Sequence, residues 1–362
     1  MNRDSTFNFS AGPSVLPEKA LLQAQADLMN FNSCGYSIME MSHRSKMYQE
    51  VFDETKSLLK EIMNVPDTHE ILFLQGGATL QFASVPLNLI SKTGKASYAI
   101  TGNFSNIAYN EAKKYGESLV ACSSEDRNFS YIPKQNELKI DQESSYFHYC
   151  ANNTIYGTEW HYVPDAGNVT MVSDMSSDIL TQKVDFSKYG LVYAGAQKNM
   201  APAGVTVVFV DKSIVGKALD ITPQVMDYKI MIDKDSMLNT PPCWCIYMLG
   251  LNLKWVKEVG GIDAMEDRKI KRSKLLYDVL DSSTFYKAHA DEDSRSYMNV
   301  TFRTKSDELD NEFVNGAAKL GLMNLKGHRK TGGIRASIYN AMPLEGCELL
   351  AKYMRKFEEE HR

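Results

Sequence analysis

The chain has few cysteines, and their arrangement would not brace a fold. The six, Cys34, Cys122, Cys150, Cys243, Cys245 and Cys347, are spaced neither as a zinc site nor as a disulfide framework, which points to reduced, structural thiols. Cys243 and Cys245 flank Trp244 as a single C-x-C, but a metal needs two further ligands nearby, and free cysteine more often behaves as a small apolar residue. Long apolar runs are missing too. No stretch approaches the roughly 18 residues a membrane helix needs, and the opening MNRDSTFNFS lacks the apolar centre of a secretory signal. Positive charge is scattered and the formal net charge is −5, so there is no electrostatic footprint for nucleic acid or an anionic membrane. No fixed-period repeat, low-complexity tract or Pro/Ser/Gly linker divides the chain. The expectation is a cytoplasmic protein without metal, nucleic-acid or membrane partners, in which any anionic ligand is held by local geometry.

What is present is a chain of 362 residues, 43% hydrophobic and 23% charged, enough for a large core and two domains. Short apolar runs at Ile71–Leu74, Lys95–Ile100, Leu119–Cys122, Ser145–Cys150, Thr170–Ser173, Leu191–Ala194 and Val205–Val210 read as strands. Helical stretches such as Met47–Met63 and Ser105–Tyr115 lie between them. Such alternation predicts an α/β domain with a mainly parallel sheet flanked by helices. A long helical region, Ile246–Leu280, interrupted at Gly260–Gly261, leads into a mixed segment. There Tyr297–Arg303 alternates like a half-buried strand, Ser306–Leu320 is helical and Ile334–Ser337 is a short strand. The expected division is an N-terminal segment 1–16, a large domain 17–261 and a smaller α+β domain 262–362.

Three local features carry chemistry. LVYAGAQKNMAPA (Leu191–Ala203) runs an apolar strand into Gln197 and Lys198, and VTMVSDMS (Val169–Ser176) ends a second strand at Asp174. A strand-end lysine made nucleophilic by desolvation, beside a carboxylate that keeps a pyridine nitrogen protonated, is the pair that pyridoxal phosphate (PLP) chemistry needs. The released lysine can also move a proton as general acid and base. Taken alone, the pair also fits two solvated loop charges. The third feature is Gly76-Gly77-Ala78-Thr79 between a strand and a helix, which would turn N–H groups and a helix dipole toward an anion, or serve as a plain connection.

The motifs together resemble the phosphoserine aminotransferase family of class V, fold-type I PLP enzymes, from Phe7 nearly to the C-terminus. They are FNFSAGPSVLP (Phe7–Pro17), MSHRSK (Met41–Lys46), GGATLQFASVPLN (Gly76–Asn88), NNTIYGTEW (Asn152–Trp160), SDMSSD (Ser173–Asp178), GAQKNMAPAG (Gly195–Gly204), NTPP (Asn239–Pro242) and GHRKTGGIRASIYNAMP (Gly327–Pro343). The resemblance implies Lys198 as the Schiff-base lysine and Asp174 as partner of the pyridine nitrogen. Ala78, Thr79 and Gln197 would hold the phosphate, and Thr154 the phenolic oxygen. Asn239 and Thr240 would reach the phosphate from the second subunit of a homodimer. Arg335 would take the substrate α-carboxylate, while His328 and Arg329, with His43 and Arg44 of the other subunit, would meet the distal anion. Phe104 stands where the family generally has a tryptophan stacked on the ring. The implied reaction moves the amino group of L-glutamate to 3-phosphohydroxypyruvate by a ping-pong route in serine biosynthesis. The related phosphorylated oxo-acid of pyridoxine biosynthesis is a second candidate substrate.

Two other readings share parts of this pattern. A cysteine desulfurase or an alanine–glyoxylate-type aminotransferase would share the lysine, the aspartate and the glycine turn. A desulfurase also needs a mobile nucleophilic cysteine late in the chain, where Cys347 sits in an expected helix. A PLP-binding regulatory protein would have lost Lys198 or Asp174 or gained a further domain, and neither is seen.

Overall fold

A computed structural model describes residues 3–361. Its centre is a seven-stranded sheet made of β1 (His69–Leu74), β2 (Lys95–Ile100), β3 (Glu117–Ser123), β4 (Tyr146–Cys150), β5 (Thr170–Asp174), β6 (Leu191–Gly195) and β7 (Thr206–Asp211). Their order across the sheet is β1-β7-β6-β5-β4-β2-β3. Only β7 runs antiparallel to its neighbours, so the other six strands end at the same edge.

Residues of each strand alternate between two apolar layers, as the two-residue repeat of an extended chain requires. Ile71, Phe73, Val192, Ala194, Val207 and Phe209 face one layer, closed by Tyr48, Phe52 and Leu59 of the helix Lys46–Met63 and by Ile246, Leu249 and Leu253 of the helix Cys243–Glu258. Leu72, Leu74, Leu191, Tyr193, Val208 and Val210 face the other, under Phe82 and Val85 of the helix Gly77–Leu89 and Ala108 and Ala112 of the helix Asn103–Ala112. Burial on both faces is why these strands read as continuous apolar runs. The sheet is the mainly parallel, helix-flanked α/β sheet expected from the sequence.

The long helical region breaks at Gly260, whose φ of +111° suits glycine, giving the helices Cys243–Glu258 and Gly261–Ser282. Beyond it, Lys287–Ala288, Asn299–Arg303 and Ile334–Ser337 form a three-stranded antiparallel sheet. Its core contains Val300, Phe302, Ile334 and Ala336 with Phe313, Leu350 and Phe357. The start of the chain joins this core. Phe7–Asn8 pairs in parallel with Leu322–Met323, and Phe9 is fully buried there. From that anchor the chain crosses back to the large sheet, where the Ser14 N–H donates to the Gln197 carbonyl at 3.0 Å. No helix among the described residues is long and apolar enough to cross a membrane.

Candidate active site

Five strands deliver chemistry to the edge where parallel strands end, the usual place for ligands in such sheets. β1 leads to Gly76–Gly77, β2 to Phe104, β4 to Thr154, β5 ends on Asp174, and β6 leads through Gly195 to Gln197 and Lys198.

Lys198 is half-buried, and its Nζ donates to Thr154 Oγ1 at 2.7 Å. The Phe104 ring centre lies 5.3 Å from Nζ. The Ser14 hydroxyl donates to the Lys198 carbonyl, so the chain's first residues help fix the lysine's backbone. Burial pulls the amine's pKa down. Asp174 and Cys150 oppose that shift and Arg335 adds to it. A buried amine with a lowered pKa is a better nucleophile near neutrality.

Asp174 is 7% exposed and lies in register with Cys150 of β4 and Tyr193 of β6. One carboxylate oxygen accepts from the Ser176 N–H at 2.9 Å, the Ser176 side chain adds a further hydrogen bond, and the other oxygen meets the Cys150 thiol at 3.9 Å. Burial therefore raises its pKa, with Lys198 the main opposing influence. A buried carboxylate with so little compensation is costly unless a cation meets it. The N–H⁺ of a protonated pyridine ring would be such a cation, so the residues present fit PLP.

The helix Gly77–Leu89 opens after Gly76 and Gly77, with φ of +83° and +67°. A Cβ on Gly76 would lie 2.6 Å from Leu80 Cβ, so the turn that frees the first N–H groups of the helix depends on glycine. Ala78 and the exposed Thr79 stand in that first turn. Gln197 folds back toward Gly195.

Arg335 comes from the small sheet and reaches the same place, its Nη1 donating to the Thr154 carbonyl at 3.3 Å. Its cationic form is disfavoured by burial, and no ion pair among the described residues offsets that, which suits an incoming carboxylate. His328 is close enough to Arg335 for its own pKa to be lowered, first by burial and then by that charge. Arg329 is exposed beside it. A single chain does not bring the remaining expected residues to Lys198. His43 and Arg44 sit in the turn before the helix Lys46–Met63, with the Arg44 N–H donating to Ser42 Oγ. Asn239 and Thr240 are exposed, and the Thr240 carbonyl accepts from the side chain of Gln75 at 2.9 Å.

Some supporting residues give no local signal in the sequence. Arg272, 1% exposed, donates from Nη1 to the carbonyls of Tyr339, Asn340 and Met342 at 2.6, 2.9 and 2.9 Å. The turn it grips follows the strand of Arg335, and the Asn340 N–H donates to Asn199 Oδ1 at 3.0 Å, next to Lys198. Cys347 is fully buried in the helix Leu344–His361 and burial pushes its thiol up to about 12, the opposite of what a desulfurase nucleophile requires.

Comparison with known proteins agrees with this geometry. The model of the class-V aminotransferase family matches residues 6–350. The phosphoserine aminotransferase of Lysinibacillus sphaericus is 48% identical over 98% of this chain and 99% of its own. That of Pseudomonas entomophila is 46% identical over 98% of each. Among solved structures, the phosphoserine aminotransferase of Bacillus circulans subsp. alkalophilus superposes with a TM-score of 0.97 at 42% identity, covering 99% of this chain and 100% of that one. The PLP-bound enzyme of Trichomonas vaginalis superposes with a TM-score of 0.93 at 34% identity, covering 97% and 99%. Matched along nearly its whole length, the chain belongs to the class-V aminotransferases, within the phosphoserine aminotransferase family.

Proposed function

We propose that this protein transfers the amino group of L-glutamate to 3-phosphohydroxypyruvate, giving O-phospho-L-serine and 2-oxoglutarate, with PLP carried on Lys198. The observation that supports this most is the meeting at one place of a half-buried lysine beside an aromatic ring, a buried aspartate and an arginine that forms no ion pair among the described residues. When bound, PLP supplies an electron sink that stabilises negative charge at the substrate's α-carbon. Asp174 would hold the proton on the ring nitrogen. Phe104 would cover the ring, Thr154 would meet the phenolic oxygen, and Ala78, Thr79 and Gln197 would bind the phosphate. Arg335 orients the substrate through a planar clamp on its α-carboxylate. Lys198, once free, takes the α-proton and returns it on the other side of the transfer.

His328 and Arg329, with the second subunit's copies of His43 and Arg44, receive either a phosphate or a γ-carboxylate, which lets one pocket serve both halves of a ping-pong cycle. Asn239 and Thr240 likewise act across a homodimer. The dimer is supported by large apolar side chains left open along the segment that leads to the His43 turn: Leu22, Met29 and Met39 are 57, 80 and 58% exposed. In the division expected from the sequence, residues 17–261 contribute Lys198, Asp174 and the glycine turn, and residues 262–362 contribute Arg335, His328 and Arg329. Six free thiols support a reducing, cytoplasmic setting.

The test is a half-reaction panel on the PLP-loaded protein, with glutamate, phosphoserine, alanine and cysteine added separately and conversion to the pyridoxamine form followed by absorbance. Glutamate and phosphoserine should convert it. Faster conversion by alanine or cysteine would remove the assignment.

A further inference from the structure

Ser177 makes no hydrogen bond to Lys198 among the described residues, yet it bonds to the hydroxyl that Lys198 meets. The Ser177 hydroxyl donates its one hydrogen to the Asn152 carbonyl at 3.0 Å. Its oxygen is then an acceptor, and it receives hydrogens from Asn152 Nδ2 at 2.8 Å and from Thr154 Oγ1 at 3.1 Å. Asn152 is held in that orientation because its amide nitrogen also donates to Asn299 Oδ1 at 2.8 Å. Asn299 is fixed in turn, its Nδ2 donating to Ser337 Oγ at 2.9 Å and Tyr339 Oη at 3.2 Å. Tyr339, the other hydroxyl near Thr154, has its hydrogen on the Ala11 carbonyl at 2.8 Å, so toward Thr154 it can only accept, and it too draws the Thr154 hydrogen away from Lys198. Ser177, Asn152, Thr154 and Asn299 are all at most 5% exposed, so bulk water does not reset the pattern.

A threonine hydroxyl has one hydrogen and two lone pairs. With the hydrogen directed to Ser177, Thr154 presents only lone pairs to Lys198, and the 2.7 Å bond runs from Nζ to Oγ1. An acceptor at that distance favours an ammonium, whereas a donor would favour the neutral amine. The other groups facing Lys198 are Asp174, Cys150, Asp178, Arg335 and the Phe104 ring, and none of them takes the Thr154 hydrogen.

We propose that Ser177 is a positioning residue that fixes Thr154 as a hydrogen-bond acceptor toward Lys198, and so favours the protonated over the free amine. Because Thr154 has a single hydrogen, any anionic oxygen brought to it competes with Ser177 for that hydrogen. The bearing of this on catalysis rests on Lys198 being the cofactor lysine, but the direction of the Thr154 hydroxyl does not.

The test measures the amine itself. Full-length protein stripped of PLP is treated with limiting acetic anhydride across a pH series, and acetylation of Lys198 is quantified by peptide mass spectrometry. Ser177→Ala frees the Thr154 hydrogen to turn toward Nζ. The midpoint should fall, and acetylation at a fixed pH below it should rise roughly three- to tenfold, the range expected for one hydrogen bond. Thr154→Val should also lower the midpoint, and adding Ser177→Ala to it should change nothing further. Ser177→Cys, nearly isosteric with a weaker acceptor, should fall between, and it carries the test if the alanine variant does not fold. An unchanged profile in both Ser177 variants, or a Ser177 effect that persists without the Thr154 hydroxyl, overturns the proposal. Borohydride reduction and peptide mapping report separately on whether Lys198 carries the cofactor.

Discussion

Replacing Arg272 with methionine should destabilise the protein by a calculable amount. The guanidinium is buried, its pKa pulled down by burial to about 10, so it is charged at neutral pH, and its Nη2 finds no partner among the described residues. Four carbonyls accept from it, those of Arg268, Tyr339, Asn340 and Met342. Two keep another donor. The Tyr339 carbonyl also accepts from the Met342 N–H at 2.8 Å, and Arg268 lies within the helix Gly261–Ser282. The carbonyls of Asn340 and Met342 lose the donor that holds them, which at about 1–3 kcal/mol for each buried unsatisfied group is about 2–6 kcal/mol. Removing a poorly compensated buried cation returns part of this, leaving an expected loss of about 2–4 kcal/mol. Arg272→Lys keeps the charge but not the planar fork, and should recover only part of the loss. Urea unfolding followed by fluorescence and circular dichroism gives the value. Cofactor retention should weaken in parallel, because the same turn holds Asn340 against Asn199. A change under about 0.5 kcal/mol, the level of an ordinary surface substitution, would show that the turn is held by something other than Arg272.

Asp174→Asn should flatten the pH dependence of stability in the cofactor-free protein. The raised folded-state pKa means the native state holds a proton that the unfolded chain releases. The stability this contributes is present below the unfolded pKa and lost as pH rises through the folded one; thermal melts across that window that are as steep in the variant as in the parent would exclude the carboxylate as the source. Phe104→Ala should raise the PLP dissociation constant about fivefold, equivalent to about 1 kcal/mol of lost aromatic contact, while Phe104→Trp should bind at least as tightly as the parent. Equal retention in the parent and the alanine variant would mean that another residue covers the ring. Mixing inactive Arg44→Ala and Lys198→Ala subunits should restore activity, since one site in the mixed dimer carries neither lesion. Demonstrated exchange without recovery would place both residues in the same chain's site.

The large sheet was legible because its strands are buried on both faces and announce themselves as apolar runs ending in glycine, aspartate or lysine. Asp174 and Lys198 stand out for the same reason, as charges at the ends of strands that otherwise exclude them. Arg272 lies in EDRKIKRSK, which reads as a solvated charged face; only the return of residues 339–342 over that helix buries it. Ser177 is one of several small polar residues in SDMSSD, and its neighbours Asn152 and Asn299 come from distant parts of the chain. The pairing of Phe7–Asn8 with Leu322–Met323 likewise has no local signature. Long-range contacts of this kind depend on how elements are brought together, which the periodicity of a single segment does not encode.

The path of the chain's first residues sets an order of events during synthesis. Ser14 touches the Lys198 backbone, but the strand and core that anchor the preceding residues are completed by Leu322, Met323 and Ser337. A ribosome releases those residues long after the strands of the large sheet, and domains take shape as their own segments emerge. The large sheet is able to assemble while its leading end is still untethered. That edge therefore gains its final support only after residues 322–337 have been made, so a translation product that stops before them would lack the brace behind Lys198.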